Sequence, residues 1–177
     1  MKQQKLQGTF TDIYNAEADA LFRFCLIRVS DREQALDLAQ EVFTRFWQTL
    51  TQKSRHIDHP RAFLYIIARN AIIDWYRKKK SVSLDSLADP DTEEPYEQID
   101  DSAIADSKLE GEGRFLVDKI GKLSQGHRDA VYLRFVEGMS PPEIAKILGL
   151  STNATSVRIT RGIEELRKMT GYDIEVE

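Results

Sequence analysis

The sequence holds a single cysteine, Cys25, among its 177 residues, so no disulfide can form within the chain. Cys25 stands in an apolar stretch with Leu21, Phe22, Phe24, Leu26 and Ile27. That setting suits a small core side chain in a protein kept in a reducing compartment. Long hydrophobic runs are missing as well. The longest, Ala62 to Ala68, has seven residues between Arg61 and Arg69, whereas a bilayer span takes about 20, so no membrane insertion is expected. Residues 1–8 are charged but lack the apolar core of a secretory leader, and the expected location is the cytoplasm. There is no glycine-rich phosphate loop and no Ser/His/Asp set with supporting context. Of the three histidines, His56 and His59 flank Asp58, but no further His or Cys lies nearby to complete a metal site. These absences argue against an enzyme, a cofactor and a resident metal.

What is present is charge, laid out unevenly. At 41% apolar and 31% charged, the chain is too hydrophobic to be disordered throughout. Its formal net charge of −4 conceals +5 over residues 1–80, −10 over 81–113 and +1 over 114–177. Partners respond to this local potential rather than to the total. The stretch from Ser81 onward contains Pro90 and Pro95, dense acidic residues and no sustained periodicity. It buries too little apolar surface to offset its ordering entropy and reads as a flexible acidic linker. As a free coil, residues 81–113 would span roughly 30 Å, more with charge repulsion. Two uses remain open for it: a solvated tether, or an arm that occupies a basic groove meant for nucleic acid.

Residues 8–80 read as one helical domain. Apolar positions recur at helical spacing through Phe10, Ile13, Tyr14, Ala18, Leu21, Phe22, Cys25 and Val29. Asp31 and Gln34 form the pattern of a capping box, after which Ala35, Leu38, Ala39, Val42, Phe43, Phe46, Trp47 and Leu50 mark a second helix. Pro60 suits the first position of a third, capped by Asp58 or His59. Along it the aromatics Phe63, Tyr65, Trp75 and Tyr76 interleave with Arg61, Arg69, Asn70, Arg77 and Lys78. Cations for phosphates, rings for unstacked bases and amides for base edges are the residue types that hold single-stranded nucleic acid. The same pattern also fits a plain core helix with a solvated basic end.

Residues 114–171 read as a second helical domain. Phe115, Leu116, Ile120 and Leu123 mark one helix, and Ala130, Val131, Leu133 and Val136 a second. Ser140-Pro-Pro-Glu143 combines a cap, a helix-start proline and a capping-box acid. A short helix ends at Gly149, Leu150 is expected to bury, Ser151 caps again, and a longer helix runs from Thr152 to about Lys168. This is a helix-turn-helix, whose second helix enters a major groove. With Thr155, Ile159, Ile163 and Leu166 inward, Thr152, Asn153, Ser156, Arg158, Thr160 and Arg161 face outward, suited to phosphates and base edges. The fold class is therefore all-α: two small helical domains, the first of three to four helices and the second of four.

At this point three segments, in order, resemble the small extracytoplasmic-function group of bacterial RNA polymerase sigma factors. Asp37 to Trp47 resembles the family's core-polymerase-binding helix, Pro60 to Lys78 its minus-ten helix, and Leu123 to Leu166 its minus-thirty-five domain. The resemblance implies that residues 8–80 are region 2, 81–113 a linker through the polymerase cleft, and 114–171 region 4. It implies that Asp37, Gln40, Glu41 and Arg45 face the clamp helices of the beta-prime subunit, with the beta subunit a further contact. For the minus-ten element it implies Ser54, Arg55, His56, Ile57 and Asp58 as the pocket loop, with Arg61, Asn70, Trp75, Arg77 and Lys78 along the helix. For the minus-thirty-five element it implies Thr152, Asn153, Ser156, Val157, Arg158, Thr160 and Arg161. The implied partners are core RNA polymerase and promoter DNA, with room for an anti-sigma factor. Ser156 stands where the family is often basic, and Thr155 where it is usually aliphatic, so a missing phosphate contact and a looser helix-turn-helix core are expected. The alternative is a regulator that binds duplex DNA alone through residues 140–168, which leaves the first domain unexplained.

Overall fold

Ser30 and Asp31 decide the first corner of the chain. Ser30 adopts a left-handed φ of 57°, a conformation that costs a non-glycine residue roughly 1–2 kcal/mol. Asp31 follows in extended geometry, and its Oδ1 accepts from the Gln34 backbone N–H at 2.8 Å, a cap worth about 1 kcal/mol. The helical run therefore stops and restarts within two residues. A computed structural model describes residues 2–52, 57–82 and 111–171. Among the described residues the regular elements are α1 (Lys2–Val29), α2 (Arg32–Thr51), α3 (Pro60–Val82), α4 (Glu112–Gly121), α5 (Gln125–Phe135), α6 (Pro141–Leu148) and α7 (Thr152–Thr170). They fall into two units, with α1 to α3 in the first and α4 to α7 in the second.

In the first unit three helices converge on a core of Leu21, Phe24, Leu26 and Ile27 from α1, Ala35, Val42 and Phe46 from α2, and Leu64, Tyr65 and Ala68 from α3. Phe10 near the start of α1 extends this core, packing edge-on to Trp47 at 5.2 Å and stacked near Phe46 at 6.3 Å. Such pairs add about 0.5–1.5 kcal/mol each beyond burial, which holds the long first helix on the second. Cys25 is buried as expected. Burial pushes its thiol up to about 12, against a smaller opposing pull from Arg28, so it is a core side chain without thiolate reactivity.

The second unit is built by turn chemistry. Glu143 Oε2 accepts from the Ser140 backbone N–H at 2.8 Å and its hydroxyl at 2.6 Å, completing the expected capping box of α6. Gly149 takes a left-handed φ of 67°, and Leu150 N–H bonds Ala145 O at 3.0 Å. Ser151 Oγ then accepts from Ala154 N–H at 3.1 Å to start α7. Helices α7 and α5 approach closely at Gly162 of α7. A Cβ there would stand 2.4 Å from Val131 Cγ2 and 3.1 Å from His127 Cβ on α5.

Several expectations change. The capping box of α2 is only half made, because the Gln34 side chain turns to α3 instead of closing on Asp31 (below). Phe115 is 47% exposed, and Val117 takes its place beside Ile120 and Leu123 in the core. Positions 117 and 120 lie one turn apart, whereas 115 falls on the far side of the helix. Tyr132 is fully buried where the sequence pointed to Val136, which is only half-buried, as is Leu150. Helix α3 runs to Val82 and α4 begins at Glu112, each two residues into the stretch read as linker. The rest of that stretch, 83–110, lies outside the described residues.

Candidate functional site

On α2 the buried row Ala35, Leu38, Ala39, Val42 and Phe46 fixes what the opposite side shows. Asp37, Gln40 and Glu41 are exposed, and Arg45 joins Glu41 through a 2.5 Å ion pair one helical turn away. Both side chains of that pair remain close to half exposed, so in water it contributes little to stability. The row is a polar, mixed-charge strip free of core duties, which is what a docking surface for another protein requires.

Along α3 the structure separates residues that composition left together. Tyr65 is fully buried, its hydroxyl donating to Glu17 Oε2 at 3.3 Å, and its ring meets Phe24 edge-on at 5.1 Å. It is core, not a platform for a base. Arg61, one turn before it, faces the same way, with Nε 2.8 Å from Glu17 Oε1. The i, i+4 spacing aims both at α1, so Arg61 is engaged within the fold rather than standing as a free cation. Phe63 is half-buried and lies 6.3 Å from Phe46. Tyr76 donates its hydroxyl to the Arg28 carbonyl of α1, which ties the far end of α3 to the core. Asn70, Arg77 and Lys78 are exposed, and Arg77 lies 3.8 Å from Asp74.

Trp75 is half-buried, with its indole N–H bonded to Gln34 Oε1 at 2.9 Å and its ring edge-on to Tyr76 at 5.0 Å. It lines a shallow groove of about 60 Å³ with Leu38, Glu41 and Arg45 of α2 and Asp74 and Lys78 of α3. Glu41 and Arg45 of the α2 strip therefore line one groove with Trp75 and Lys78 of α3. Of the expected pocket loop, Ile57 is half-buried and Asp58 exposed; Ser54, Arg55 and His56 lie outside the described residues.

On α7 the inward set is as expected: Thr155, Ile159, Ile163 and Leu166 are buried. Thr152, Asn153, Ser156, Val157, Thr160 and Arg161 are exposed and share the outer side of the helix. Arg158 departs from this set. It is half-buried, with Nη1 3.9 Å from where a Cβ at Gly126 would stand, so its guanidinium leans over the start of α5. Thr155 in the core is not a loose point: its hydroxyl donates to Ser151 O at 3.0 Å, so the buried polar atom is satisfied.

One cluster in the second unit was missed by sequence reasoning. Glu165 Oε1 accepts from the Ser124 backbone N–H at 3.0 Å, while its Oε2 lies 2.7 Å from His127 Nδ1 and 3.2 Å from Ser124 Oγ. His127 Nδ1 is also 3.0 Å from Ser124 Oγ. A Ser-His-acid relay uses both ring nitrogens, one toward each partner; here one nitrogen faces both, so the cluster straps the start of α5 to α7. Partial burial pushes the Glu165 carboxyl up, but hydrogen bonds from His127 and Ser124 outweigh it and hold the group below its ordinary value. The folded unit therefore binds fewer protons than the unfolded chain around that value, and acid favours unfolding. Stability of residues 111–171 is expected to fall as pH drops below about 4.3, the ordinary glutamate value. In acid titrations followed by amide hydrogen exchange, Glu165→Gln should flatten that loss; an identical acid slope in the variant would contradict the assignment. Among the described residues no three of His, Cys, Asp and Glu converge as a metal site requires, and no helix is long and apolar enough to cross a membrane.

Comparison with known proteins accounts for both units. The family model for sigma-70 region 2 matches residues 13–82, and that for sigma-70 region 4 matches residues 116–166. The ECF RNA polymerase sigma factor SigW of Bacillus subtilis is 32% identical over 92% of this chain and 89% of its own length. SigX of the same organism, also an ECF RNA polymerase sigma factor, is 29% identical over 92% of this chain and 84% of its own. In fold the chain is similar to the sigma factor RpoE of Bartonella quintana, solved in complex with the anti-sigma factor NepR. That likeness has a TM-score of 0.71 and 20% identity, and covers 94% of this chain and 99% of the other. Region 2 followed by region 4, over nearly the full length of curated relatives, places this chain in the sigma-70 family, within its ECF group of RNA polymerase sigma factors.

Proposed function

We propose that the two units divide the work of promoter recognition. As a sigma factor, the chain directs core RNA polymerase to promoters. The strip Asp37, Gln40, Glu41 and Arg45 on α2 docks on the beta-prime clamp helices. The loop 54–58 and the α3 residues Asn70, Trp75, Arg77 and Lys78 take the opened minus-ten strand, with Arg61 contributing from within its pair with Glu17. The outer side of α7, from Thr152 to Arg161, reads the minus-thirty-five duplex. Residues 8–80 and 114–171 serve as the two domains, and the acidic stretch 81–113 tethers them. The chain works in the cytoplasm without a cofactor and performs no catalysis itself, the polymerase supplying the chemistry. An anti-sigma protein is a further proposed partner, in keeping with the Bartonella factor of similar fold that was solved with one.

The observation that supports this reading is the polar strip on α2, clear of the core, whose Glu41 and Arg45 line a groove with Trp75 and Lys78 of α3. A regulator acting alone on duplex DNA has no use for such a unit. Association with purified core polymerase, measured by gel filtration, tests it. The intact chain is expected to co-elute with polymerase, and changing Asp37 and Glu41 together to Ala is expected to weaken that association. Unchanged association would remove the α2 strip from the interface, and tight duplex binding without polymerase would favour the lone regulator.

A further inference from the structure

Gln34 is in the right place for a job it does not do. In a capping box the fourth residue folds its side chain back onto the N–H of the cap, and the sequence Asp31-Arg-Glu-Gln34 fits that pattern. Asp31 performs its half, accepting from the Gln34 N–H at 2.8 Å. The Gln34 side-chain oxygen instead accepts from Trp75 Nε1 at 2.9 Å, across to a helix 41 residues further along the chain.

The physical consequence falls on the ring. An indole turns about two side-chain bonds, and its N–H is its one polar handle. A hydrogen bond at that atom, far from Cβ, fixes the ring plane more firmly than packing near the backbone would. Other contacts act on the same ring: Tyr76 meets it edge-on at 5.0 Å, and Lys79 Nζ lies 5.1 Å from its centroid. Tyr76 is itself anchored to the Arg28 carbonyl. Stacking on an unpaired base depends on ring orientation, and a ring already oriented loses less freedom when the base arrives.

We propose that Gln34 is a positioning residue for promoter opening: its side-chain carbonyl holds the Trp75 indole in the orientation that receives an unstacked promoter base. This rests on the assignment of Trp75 to the minus-ten strand given above. Gln34 contacts no DNA in this scheme and acts only through Trp75.

The test uses the full chain with core polymerase on a promoter found by mapping its transcript starts, as intact duplex and with the minus-ten region already mismatched open. Gln34→Met removes the acceptor at similar size, and Trp75→Phe removes the donor while keeping a ring. Each is expected to slow opening of the duplex about two- to tenfold, the rate equivalent of one net hydrogen bond. Initiation on the pre-opened template should not change. The double variant should be no slower than either single one, because both remove the same bond. Gln34→Glu keeps an acceptor and should restore opening. Wild-type opening by Gln34→Met, slowing multiplied in the double variant, or equal slowing on both templates would each overturn the proposal, the last by reducing Gln34 to a stabiliser of α2. A Trp75→Ala control separates the two levels. If it opens duplex normally, the assignment of Trp75 is wrong; if it is slow while Gln34→Met is not, only the positioning role fails.

Discussion

Replacing Trp75 by Ala is expected to leave polymerase association intact and to slow opening of duplex promoters about five- to 150-fold, the span given by one base stacked on one aromatic ring. The direction follows from where the ring sits. Trp75 is half-buried near the basic end of α3, with exposed Arg77 and Lys78 close behind it. Phosphates can reach those cations while a base reaches the ring. Tyr65, another aromatic of the same pattern, is fully buried and could be reached only by unfolding the unit. Stopped-flow measurement of opening on duplex and pre-opened templates checks the expectation. Rescue on the pre-opened template supports it. Loss of polymerase association would instead assign this part of α3 to polymerase docking, together with Glu41 and Arg45, which line the same groove.

Gly162→Ala is expected to destabilise the second unit, against the ordinary helix trend. In an exposed helix interior, Gly to Ala gains roughly 1 kcal/mol. Here the added methyl would meet Val131 Cγ2 at 2.4 Å and His127 Cβ at 3.1 Å, and the near contact is a branched core side chain on α5. Overpacking of this kind costs about 1–3 kcal/mol, so the clash outweighs the propensity gain. A larger residue, as in Gly162→Leu, should leave residues 111–171 unfolded, since a unit of that size has only about 3–5 kcal/mol to lose. Gly126 supplies the contrast: a Cβ there would meet only Arg158 Nη1, at 3.9 Å, so Gly126→Ala should be tolerated. Amide hydrogen exchange of the intact chain resolves the two, and equal protection in Gly162→Ala and the parent would contradict the close crossing.

Helix positions and most of the core were legible because local chemistry and periodicity agree: Pro60, Ser140 with Glu143, Gly149 and Ser151 each punctuate where expected. The outer side of α7 was legible for the same reason, except at Arg158, since naming the buried row names the exposed one. Pairings between helices were not. Nothing in the local sequence says that Gln34 will prefer Trp75 to its own helix cap, or that Arg61 and Tyr65 will share the carboxylate of Glu17. Nor does it say that Ser124, His127 and Glu165 will meet. The contacts that cross between helices join residues 38 to 48 apart, and periodicity carries no information at that range. Gly162 left a faint signal, a glycine inside a strong helical pattern, which marks either a weak point or a close approach; the structure shows the approach. Phe115 misled because a large apolar residue was credited to the core when Val117 held the matching phase.

The most direct test of the division of labour is to transcribe fragmented genomic DNA with purified core polymerase, with and without this chain, and to sequence the 5′ ends. The account predicts new starts that appear only with the chain and share two upstream elements at constant spacing. The outer element should be weakened by changes on α7 and the inner one by changes on α3. An unchanged set of starts would contradict it.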